Sequence, residues 1–243
     1  MRGRASGKSG ESGSAARRAA QGDENPRAKS RASVTKQPAT DAASARRSGG
    51  PALARAPQQV RIIGGAWKRT PLAVADVPGL RPTPDRVRET LFNWIAHLRP
   101  DTAALRGLDL FAGSGALGFE LASRGAQRVT LVEANARALQ ALRATKTKLA
   151  AEQVDIVPGD ALALSAQWPA ASFDLIFVDP PFDAGLHDPA LAASARLLAP
   201  GGLVYVEAAR PLPPEQAART GFDIVRTGRA GRVTFHLLQP RTA

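Results

Sequence analysis

The ten residues Phe173–Phe182, FDLIFVDPPF, constrain the fold of this chain more than any other stretch. Five of the first six residues are apolar, which is typical of a strand that is covered on both faces. Pro180 and Pro181 have no backbone N–H to donate, so strand pairing must end there. The motif therefore places Asp179, a rigid backbone carbonyl and an aromatic ring at the carboxyl end of a central strand, where open α/β sheets bind ligands.

The chemistry that suits such a strand end is methylation of an amine attached to a planar ring. The lone pair of that nitrogen is delocalised, which makes it a poor nucleophile. Hydrogen bonds from its N–H groups to Asp179 and to the Pro180 carbonyl would orient the amine and localise the lone pair, and Phe182 would stack on the ring. An Asx-Pro turn with Phe182 in the core explains the same four residues equally well.

A second motif lies upstream, where residues 107–118, GLDLFAGSGALG, predict a strand, a glycine turn and the start of a helix. The glycines satisfy the pattern G-x-G-x-x-G, which dinucleotide-binding folds also contain. The next strand, 129–132, ends in Glu133, about 20 positions beyond the glycines, where an acidic residue can bind ribose hydroxyls. Because NAD and S-adenosylmethionine both carry an adenosine ribose, this motif does not separate them.

The remaining strands indicate the fold class. Strand 154–157 leads to Asp160, which suits a contact with an adenine amine or an N-cap for the short helix 161–167. Two further parallel strands, 173–178 and 203–207, follow, and segments 222–226 and 232–238 predict an antiparallel hairpin. Five βα units closed by such a hairpin are typical of the class I methyltransferases, α/β proteins with a Rossmann-like, mostly parallel sheet. An NAD-binding domain normally continues with parallel units instead.

Composition divides the chain into three parts. Residues 1–58 contain 12 Lys/Arg, 4 Asp/Glu and almost no large apolar side chain, so we expect a disordered basic tail. Such a tail is either a non-specific RNA-binding arm or a dispensable extension. Residues 59–80 predict a small β-hairpin, and the methyltransferase domain is expected to occupy residues 81–243.

The formal net charge of +12 favours a polyanionic partner, with nucleic acid as the first candidate. Basic residues interleave with an aromatic residue in the hairpin, and more follow at the start of the next helix, for which Thr83 is the expected N-cap. The candidate RNA contacts in these two segments are Arg61, Trp67, Lys68, Arg69, Arg86 and Arg88. A solvated hairpin whose Trp67 packs on the domain explains the first segment equally well.

Several classes of protein are excluded or disfavoured by what the sequence lacks. Cysteine is absent, so there is no disulfide, no thiolate metal site and no cysteine nucleophile. The three histidines are scattered without ligand spacing, and we expect no metal site. No apolar run approaches the roughly 18 residues of a membrane span, and the N-terminus has no signal-peptide core, so we expect a cytoplasmic protein without membrane contact.

Five blocks of sequence, taken together, resemble one known family. They are RIIGGAWKRTPL, GLRPTPDRVRETLFNWI, DLFAGSGALGFELASRGA, VTLVEAN and IFVDPPF, and they run in order over nearly all of residues 60–240. In this combination the chain resembles the bacterial 16S rRNA (guanine-N2)-methyltransferases of the RsmD family. The resemblance implies S-adenosyl-L-methionine as cofactor and a guanine exocyclic amine of 16S rRNA, in a partly assembled 30S subunit, as the methyl acceptor.

The resemblance also implies roles for individual residues. The amine site would consist of Asp179, Pro180, Pro181 and Phe182. The residues expected at the methionine end, the ribose and the adenine of S-adenosylmethionine are Asp109, Phe111, Gly113, Ser114, Gly115, Glu133 and Asp160. Three alternatives remain: an exocyclic-amine methyltransferase acting on tRNA, 23S rRNA or DNA adenine, an NAD-dependent oxidoreductase, and a catalytically silent RNA-binding protein. We expect a monomer.

Overall fold

The computed structural model of this chain describes residues 59–181 and 184–241. Its strands are β1 Gln59–Arg61, β2 Pro71–Ala73, β3 Arg106–Asp109, β4 Arg128–Glu133, β5 Val154–Pro158, β6 Phe173–Val178, β7 Leu198–Ala208, β8 Phe222–Ala230 and β9 Val233–Pro240. Its α-helices are α1 Asp85–Leu98, α2 Ala116–Ser123, α3 Ala136–Leu149, α4 Ala161–Ser165, α5 His187–Leu197 and α6 Pro214–Arg219. The tail predicted over residues 1–58 and the predicted stacking residue Phe182 lie outside the described residues.

A seven-stranded sheet in the order β5-β4-β3-β6-β7-β9-β8 forms the centre of the domain. Strands β3 to β7 are parallel, and β9 pairs antiparallel with both β7 and β8. Strands β1 and β2 form a separate two-stranded antiparallel sheet, which is the expected N-terminal hairpin. The predicted fold class is therefore confirmed, including the antiparallel C-terminal hairpin that separates it from an NAD-binding domain.

Strand β6 lies in the middle of this sheet with helices on both faces, which explains its nearly continuous apolar sequence. Leu175 and Phe177 pack into the core on one face together with α1 and α2. Ile176 and Val178 pack into the core on the other face together with α5 and α6. Side chains that are two positions apart on a strand share a face, so Asp179 belongs to the face of Phe177.

Two element boundaries differ from the sequence predictions. Helix α1 begins at Asp85 with Pro84 at the N-cap position, and no side chain caps it. The prediction that Thr83 caps this helix was therefore wrong, and its side chain is buried elsewhere. Strand β7 begins at Leu198 rather than at Leu203, because Leu198 already pairs with Phe173 before the glycine turn.

A buried ion network attaches the N-terminal hairpin to the domain. Glu120 on α2 is fully buried and accepts backbone N–H groups from Ile63 at 2.7 Å and Gly64 at 2.8 Å. It also pairs with Arg88 at 3.2 Å and with Arg124 at 2.9 Å. These partners compensate a carboxylate that would otherwise be very costly to bury.

Arg88 is consequently not an RNA contact, and that prediction was wrong. Its side chain is 0% exposed, so it cannot reach a phosphate in solution. The guanidinium donates to the Arg61 carbonyl at 2.8 Å, the Asp85 carboxylate at 2.7 Å and the Thr83 carbonyl at 3.2 Å. All of its described partners lie inside the protein, which assigns Arg88 to the fold.

No helix within residues 59–181 and 184–241 is both long enough and apolar enough to cross a membrane.

Candidate active site

Three acidic side chains meet at the carboxyl edge of the sheet, on the face covered by α1. Phe177 aligns with Asp109 on β3 and with Tyr205 on β7. Asp179, two positions beyond Phe177, therefore lies level with Glu207, which is two positions beyond Tyr205. Asp109 lies on the same face, level with Phe177 and therefore two positions before Asp179 along the strand direction. The parallel registers thus bring together residues that are 98 positions apart in the sequence, counted from Asp109 to Glu207.

Burial disfavours the charged form of all three carboxyl groups. It raises the pKa of Asp109 to about 7 and is opposed by backbone N–H donors from Gly118 and Phe111. It also raises the pKa of Asp179 well above the ordinary value, and the nearby charges of Glu207 and Asp109 raise it further. Burial likewise raises the pKa of Glu207. No ion pair between described residues includes any of the three, so the cluster has no cation to stabilise its charge.

Two hydroxyl groups contact this acid cluster, which consists of Asp109, Asp179 and Glu207. The phenol of Tyr205, which is 0% exposed, donates to Glu207 Oε1 at 2.8 Å. The Thr83 hydroxyl group beside Asp179 and Glu207 lowers the pKa of each and partly offsets the effect of burial. Sequence reasoning did not select Thr83 or Glu207 as site residues, because their proximity to Asp179 arises only from the sheet register and the path of residues 74–84.

The glycine turn after β3 lies beside the acid cluster. Asp109 ends β3 directly before this turn, and the backbone N–H groups of Gly118 and Phe111 lower the pKa of its carboxyl group against the effect of burial. Gly113 and Gly115 have φ values of 53° and 74°, in the left-handed region that favours glycine. Two of the predicted cofactor residues, Gly113 and Gly115, thus give the turn its backbone conformation. A third, Asp109, is the last residue of the strand that precedes the turn.

Close packing surrounds the same turn. A Cβ at Gly118 would come within 2.0 Å of Leu131 Cδ2, so glycine is needed where α2 crosses β4. A Cβ at Gly113 would come within 2.7 Å of Leu80 Cδ1, which shows that the segment before α1 covers the turn. Ser114 is 6% exposed, and Phe111 is half-buried against the core on the other face.

Glu133 connects the glycine turn to the start of α3. Its Oε2 accepts the Gly113 N–H at 2.8 Å, and its Oε1 accepts the Asn135 N–H at 2.7 Å. The side chain remains half-exposed at the carboxyl end of β4. A carboxylate oxygen can accept two hydrogen bonds, so each oxygen retains one position for an outside hydroxyl group.

Asp160 is exposed at the carboxyl end of β5 and accepts the Ala163 N–H at 2.8 Å. This is the N-cap contact that the sequence predicted for α4. At the end of β6, Asp179 is half-buried, Pro180 is buried and Pro181 is exposed. The Pro180 residue therefore presents its carbonyl from a packed position, while the chain emerges to the surface one residue later.

Two cavities of the domain lie at opposite edges of the sheet, one at the carboxyl edge and one at the amino edge. A cavity of ≈ 590 Å³ lies beside the end of β7 and is lined by residues that include Gly185, His187, Arg210 and Leu212. His187 Nε2 contacts the Glu207 carbonyl oxygen at 2.8 Å, and Leu212 belongs to the core of the α5 and α6 face, so this cavity and the acid cluster lie on opposite faces of the sheet at the end of β7. A smaller cavity of ≈ 300 Å³ is lined by Gly65 and Thr102, among others, at the amino edge of the sheet, and it is remote from these groups.

The remaining candidate RNA contacts fall into two places. Trp67 donates its backbone N–H to Ser123 Oγ at 2.9 Å and packs against the core, and Lys68 and Arg69 are exposed beside it. Ser123 ends α2, whose eight residues span about 12 Å from the glycine turn, so these three residues lie at the far end from the acid cluster. The second place is the start of α1, where Arg86 is exposed and Arg61 pairs with Asp85 at 2.9 Å.

The sheet order, the acid-ended strands and the glycine turn are those of the class I methyltransferases. The precorrin-6y C5,15-methyltransferase of Geobacter metallireducens shares this fold with a TM-score of 0.55 and 18% identity, over 69% of this chain and 94% of that one. At that identity the likeness concerns the fold alone.

Closer relatives define the family. The family model described as "Conserved hypothetical protein 95" matches residues 60–239, and the chain belongs to this family. "Ribosomal RNA small subunit methyltransferase D" of Escherichia coli K12 is 42% identical over 185 residues, covering 74% of this chain and 90% of the relative. The protein of the same name from Haemophilus influenzae is 36% identical over 189 residues, covering 74% and 94%. The solved structure of yhhF from Escherichia coli has a TM-score of 0.65 at 39% identity, over 76% of this chain and 99% of that one.

Proposed function

We propose that this protein transfers a methyl group from S-adenosyl-L-methionine to the exocyclic N2 amine of a guanine in 16S rRNA, within a partly assembled 30S subunit. The observation that carries the proposal is the position of Asp179 and the Pro180 carbonyl, beside the glycine turn and in a family whose relatives are named for small-subunit rRNA methylation. A substrate of this kind places the protein in the cytoplasm.

The residues at the carboxyl edge fit S-adenosylmethionine chemically. Glu133 retains one acceptor position on each oxygen, which suits the two ribose hydroxyls. The second carboxylate oxygen of Asp160 could accept from the adenine amine, while the first caps α4. The acid cluster has no cationic partner among the described residues, and a positively charged ligand would supply that missing charge. When bound, the cofactor supplies an electrophilic methyl group on a sulfonium.

Asp179 and Pro180 would act on the acceptor amine. The carboxylate and the carbonyl each accept one N–H, which fixes the amine and turns its lone pair toward the methyl group. The amine becomes acidic once it is methylated, and Asp179 takes the released proton. A raised pKa makes this carboxylate a better proton acceptor than an ordinary aspartate.

The guanine must be unpaired or flipped out of its helix to reach this edge, and we propose that Phe182 stacks on it. The cavity beside Arg210 and His187 offers room for the neighbouring part of the substrate. Arg61 and Arg86 would contact RNA near the site, while Trp67, Lys68 and Arg69 would contact it further away, together with the basic tail.

The test is a methylation assay with small-subunit particles from cells that lack this protein, followed by mass analysis of their nucleosides. Replacing Asp179 with alanine should reduce the rate by about 10²–10⁴-fold, while S-adenosylhomocysteine still binds in calorimetry. Asp223→Asn, at an exposed carboxylate on β8 paired with Arg241, is the matched control and should keep wild-type activity.

Three results would contradict the proposal. They are near-wild-type methylation by the Asp179→Ala variant, a methylated nucleoside other than N2-methylguanosine, and methylation confined to tRNA, 23S rRNA or DNA. Binding of NADH in place of S-adenosylhomocysteine would instead favour an oxidoreductase.

A further inference from the structure

Helix α3 carries a concentration of positive charge to which the proposed site assigns no role. Between Glu133 and Glu152 the chain contains four basic residues and no acidic residue, a charge of +4. The four are Arg137, Arg143, Lys146 and Lys148. Every other described helix that has a lysine or an arginine also has an acidic residue. No ion pair between described residues includes any of the four, so their charge is uncompensated.

The stability of α3 accounts for only part of this charge. Lys146 and Lys148 lie in its last turn, where the helix dipole favours cations. Arg137 lies in the first turn, where the same dipole disfavours a cation. Arg143 and Lys146 are three positions apart, and like charges at this spacing repel each other. The charges of Arg137 and Arg143 therefore cost the helix stability, which favours a role for them toward an outside partner.

The exposed side of α3 has a regular arrangement. Its buried side chains pack on β4 and β5, and the centre of the opposite side holds only uncharged residues. They are Gln140, Ala144 and Thr147. At about 100° per residue, Arg137 and Lys148 lie on one flank of this centre, and Arg143 and Lys146 lie on the other. The basic face of α3, defined by these seven residues, is thus a neutral centre between two rows of cations.

The basic face connects the carboxyl edge of the sheet to the N-terminal hairpin. Lys148 Nζ donates to the Pro71 carbonyl at 3.1 Å, which attaches the end of α3 to β2. Arg69, which is exposed, lies two positions before Pro71. At the other end, the N-cap residue Asn135 donates its backbone N–H to Glu133 Oε1 at 2.7 Å. The 14 residues of α3 span about 21 Å, so one basic surface extends from the proposed cofactor edge to the hairpin.

We propose that the basic face of α3 binds a double-helical segment of the small-subunit rRNA, with its two rows of cations on the two phosphate strands that border a minor groove. The inference rests on the proposed function. The minor groove of A-form RNA is wide and shallow, so the face of a helix can lie against it. Gln140 and Thr147 carry polar groups that suit 2′-hydroxyls, and the contact reads shape rather than sequence. The face holds the particle while the flipped guanine reaches Asp179.

The test variant is Arg137→Gln/Arg143→Gln, which removes one cation from each row and keeps good helix formers. We expect KM for the small-subunit particle to rise about tenfold with kcat unchanged. The slope of log K for particle binding against log salt concentration should fall by about two, one for each lost phosphate contact. S-adenosylhomocysteine should bind as it does to wild type, because neither arginine belongs to the proposed cofactor site.

The matched control is Arg219→Gln/Arg226→Gln. These two exposed arginines lie on α6 and β8, at the opposite edge of the sheet from α3. The control removes the same charge from the protein and should leave KM, kcat and the salt slope unchanged. An equal effect in the control would overturn the proposal, because net charge alone would then explain it. Wild-type KM and salt slope in the α3 variant would overturn it as well.

Fluorescence anisotropy with three probes tests the kind of partner. The probes are an RNA duplex of about 16 base pairs, one of its single strands, and a DNA duplex of the same sequence. The α3 variant should lose affinity mainly for the RNA duplex. Equal losses on all three probes would overturn the assignment to an RNA groove. A raised KM with unchanged affinity for the RNA duplex would indicate a protein of the particle as the partner and would also overturn it. If Asp179→Ala remained active, the proposed function would fail, whereas the duplex measurements do not depend on methylation.

Discussion

Two buried glutamates of this protein lie in opposite electrical surroundings. Glu120 on α2 has Arg88 and Arg124 as ion partners and accepts two backbone N–H groups besides. Glu207 on β7 accepts a hydrogen bond from the Tyr205 phenol, has no ion partner among the described residues, and raises the pKa of the nearby Asp179. Both side chains are shielded from water, so the difference in partners decides what each can do.

The comparison separates a buried charge that stabilises the fold from buried acids that suit a role in proton transfer. The pairs around Glu120 hold the hairpin, α1 and α2 together, and their protonation has no task in the proposed reaction. The acid cluster is left uncompensated within the described residues, so its members bind and release protons at higher pH than ordinary carboxyl groups. An unpaired buried acid beside a ligand-binding turn is therefore the better indicator of function.

The largest expected effect comes from breaking the compensated region. Arg88→Met leaves Glu120 buried with a weaker set of partners and should lower the free energy of unfolding by about 3–5 kcal/mol. Urea denaturation followed by circular dichroism measures this loss. Glu207→Gln removes a charge without leaving a cation unpaired, and it should cost less than about 1 kcal/mol. Equal losses in the two variants would remove the distinction between the two glutamates.

The pH dependence of stability gives the next effect. The folded-state pKa of Asp109 is about 7 against an ordinary value of 3.8, so between these values the folded protein binds more protons than the unfolded chain. Its contribution therefore lowers stability as pH rises, by up to about 1.4 kcal/mol per pH unit.

Asp109→Asn should remove this contribution, so the stability of the variant relative to wild type should increase from pH 4 to pH 7. The difference between the two proteins is the quantity to measure, because His236, whose pKa is lowered by burial, contributes the opposite slope equally to both. A difference that is flat across this range would show that Asp109 is charged throughout.

A second substitution sharpens the assignment of Arg88. Adding Glu120→Gln to Arg88→Met removes a buried charge that has lost one of its two ion partners, and it should recover about 1–2 kcal/mol of the lost stability, as coupled neighbours do in double-mutant cycles. Recovery is partial because the amide keeps only one acceptor oxygen for Ile63 and Gly64. Simple addition of the two losses in urea denaturation would show that the charges do not interact.

The smallest effect is expected at the exposed end of the same network. Arg61 pairs with Asp85 at 2.9 Å, but its side chain is 69% exposed. Arg61→Ala should change the free energy of unfolding by less than about 1 kcal/mol, because water and salt screen an exposed pair. A loss comparable with that of Arg88→Met would mean that pairing, rather than burial, gives the network its strength.

Local sequence patterns predicted much of the fold and part of the site. The alternation and length of apolar runs predicted the parallel strands and the C-terminal hairpin, because burial on one or two faces leaves a readable period. Gly113 and Gly115 were predicted at the turn after β3, where the structure has the left-handed φ values that glycine favours. The cofactor and substrate roles of the individual site residues remain predictions.

Arg88, Thr83 and Glu207 were beyond the reach of such patterns. Arg88 has the sequence context of a surface residue, and Thr83 that of a helix cap. In the structure Arg88 pairs with Glu120, which is 32 positions away. Thr83 lies beside Asp179 and Glu207, which are 96 or more positions away. Contacts over such separations depend on strand order and on helix docking, which a local window does not contain.

The sequence by itself determined that a buried strand ends in Asp-Pro-Pro and that a glycine turn precedes a helix, because proline chemistry, glycine geometry and hydrophobic period are local properties. Only the tertiary structure decided which acids would share a space and which would receive a cation. That decision depends on sheet register and helix packing, since the energy of a buried charge is set by neighbours that are distant in the chain.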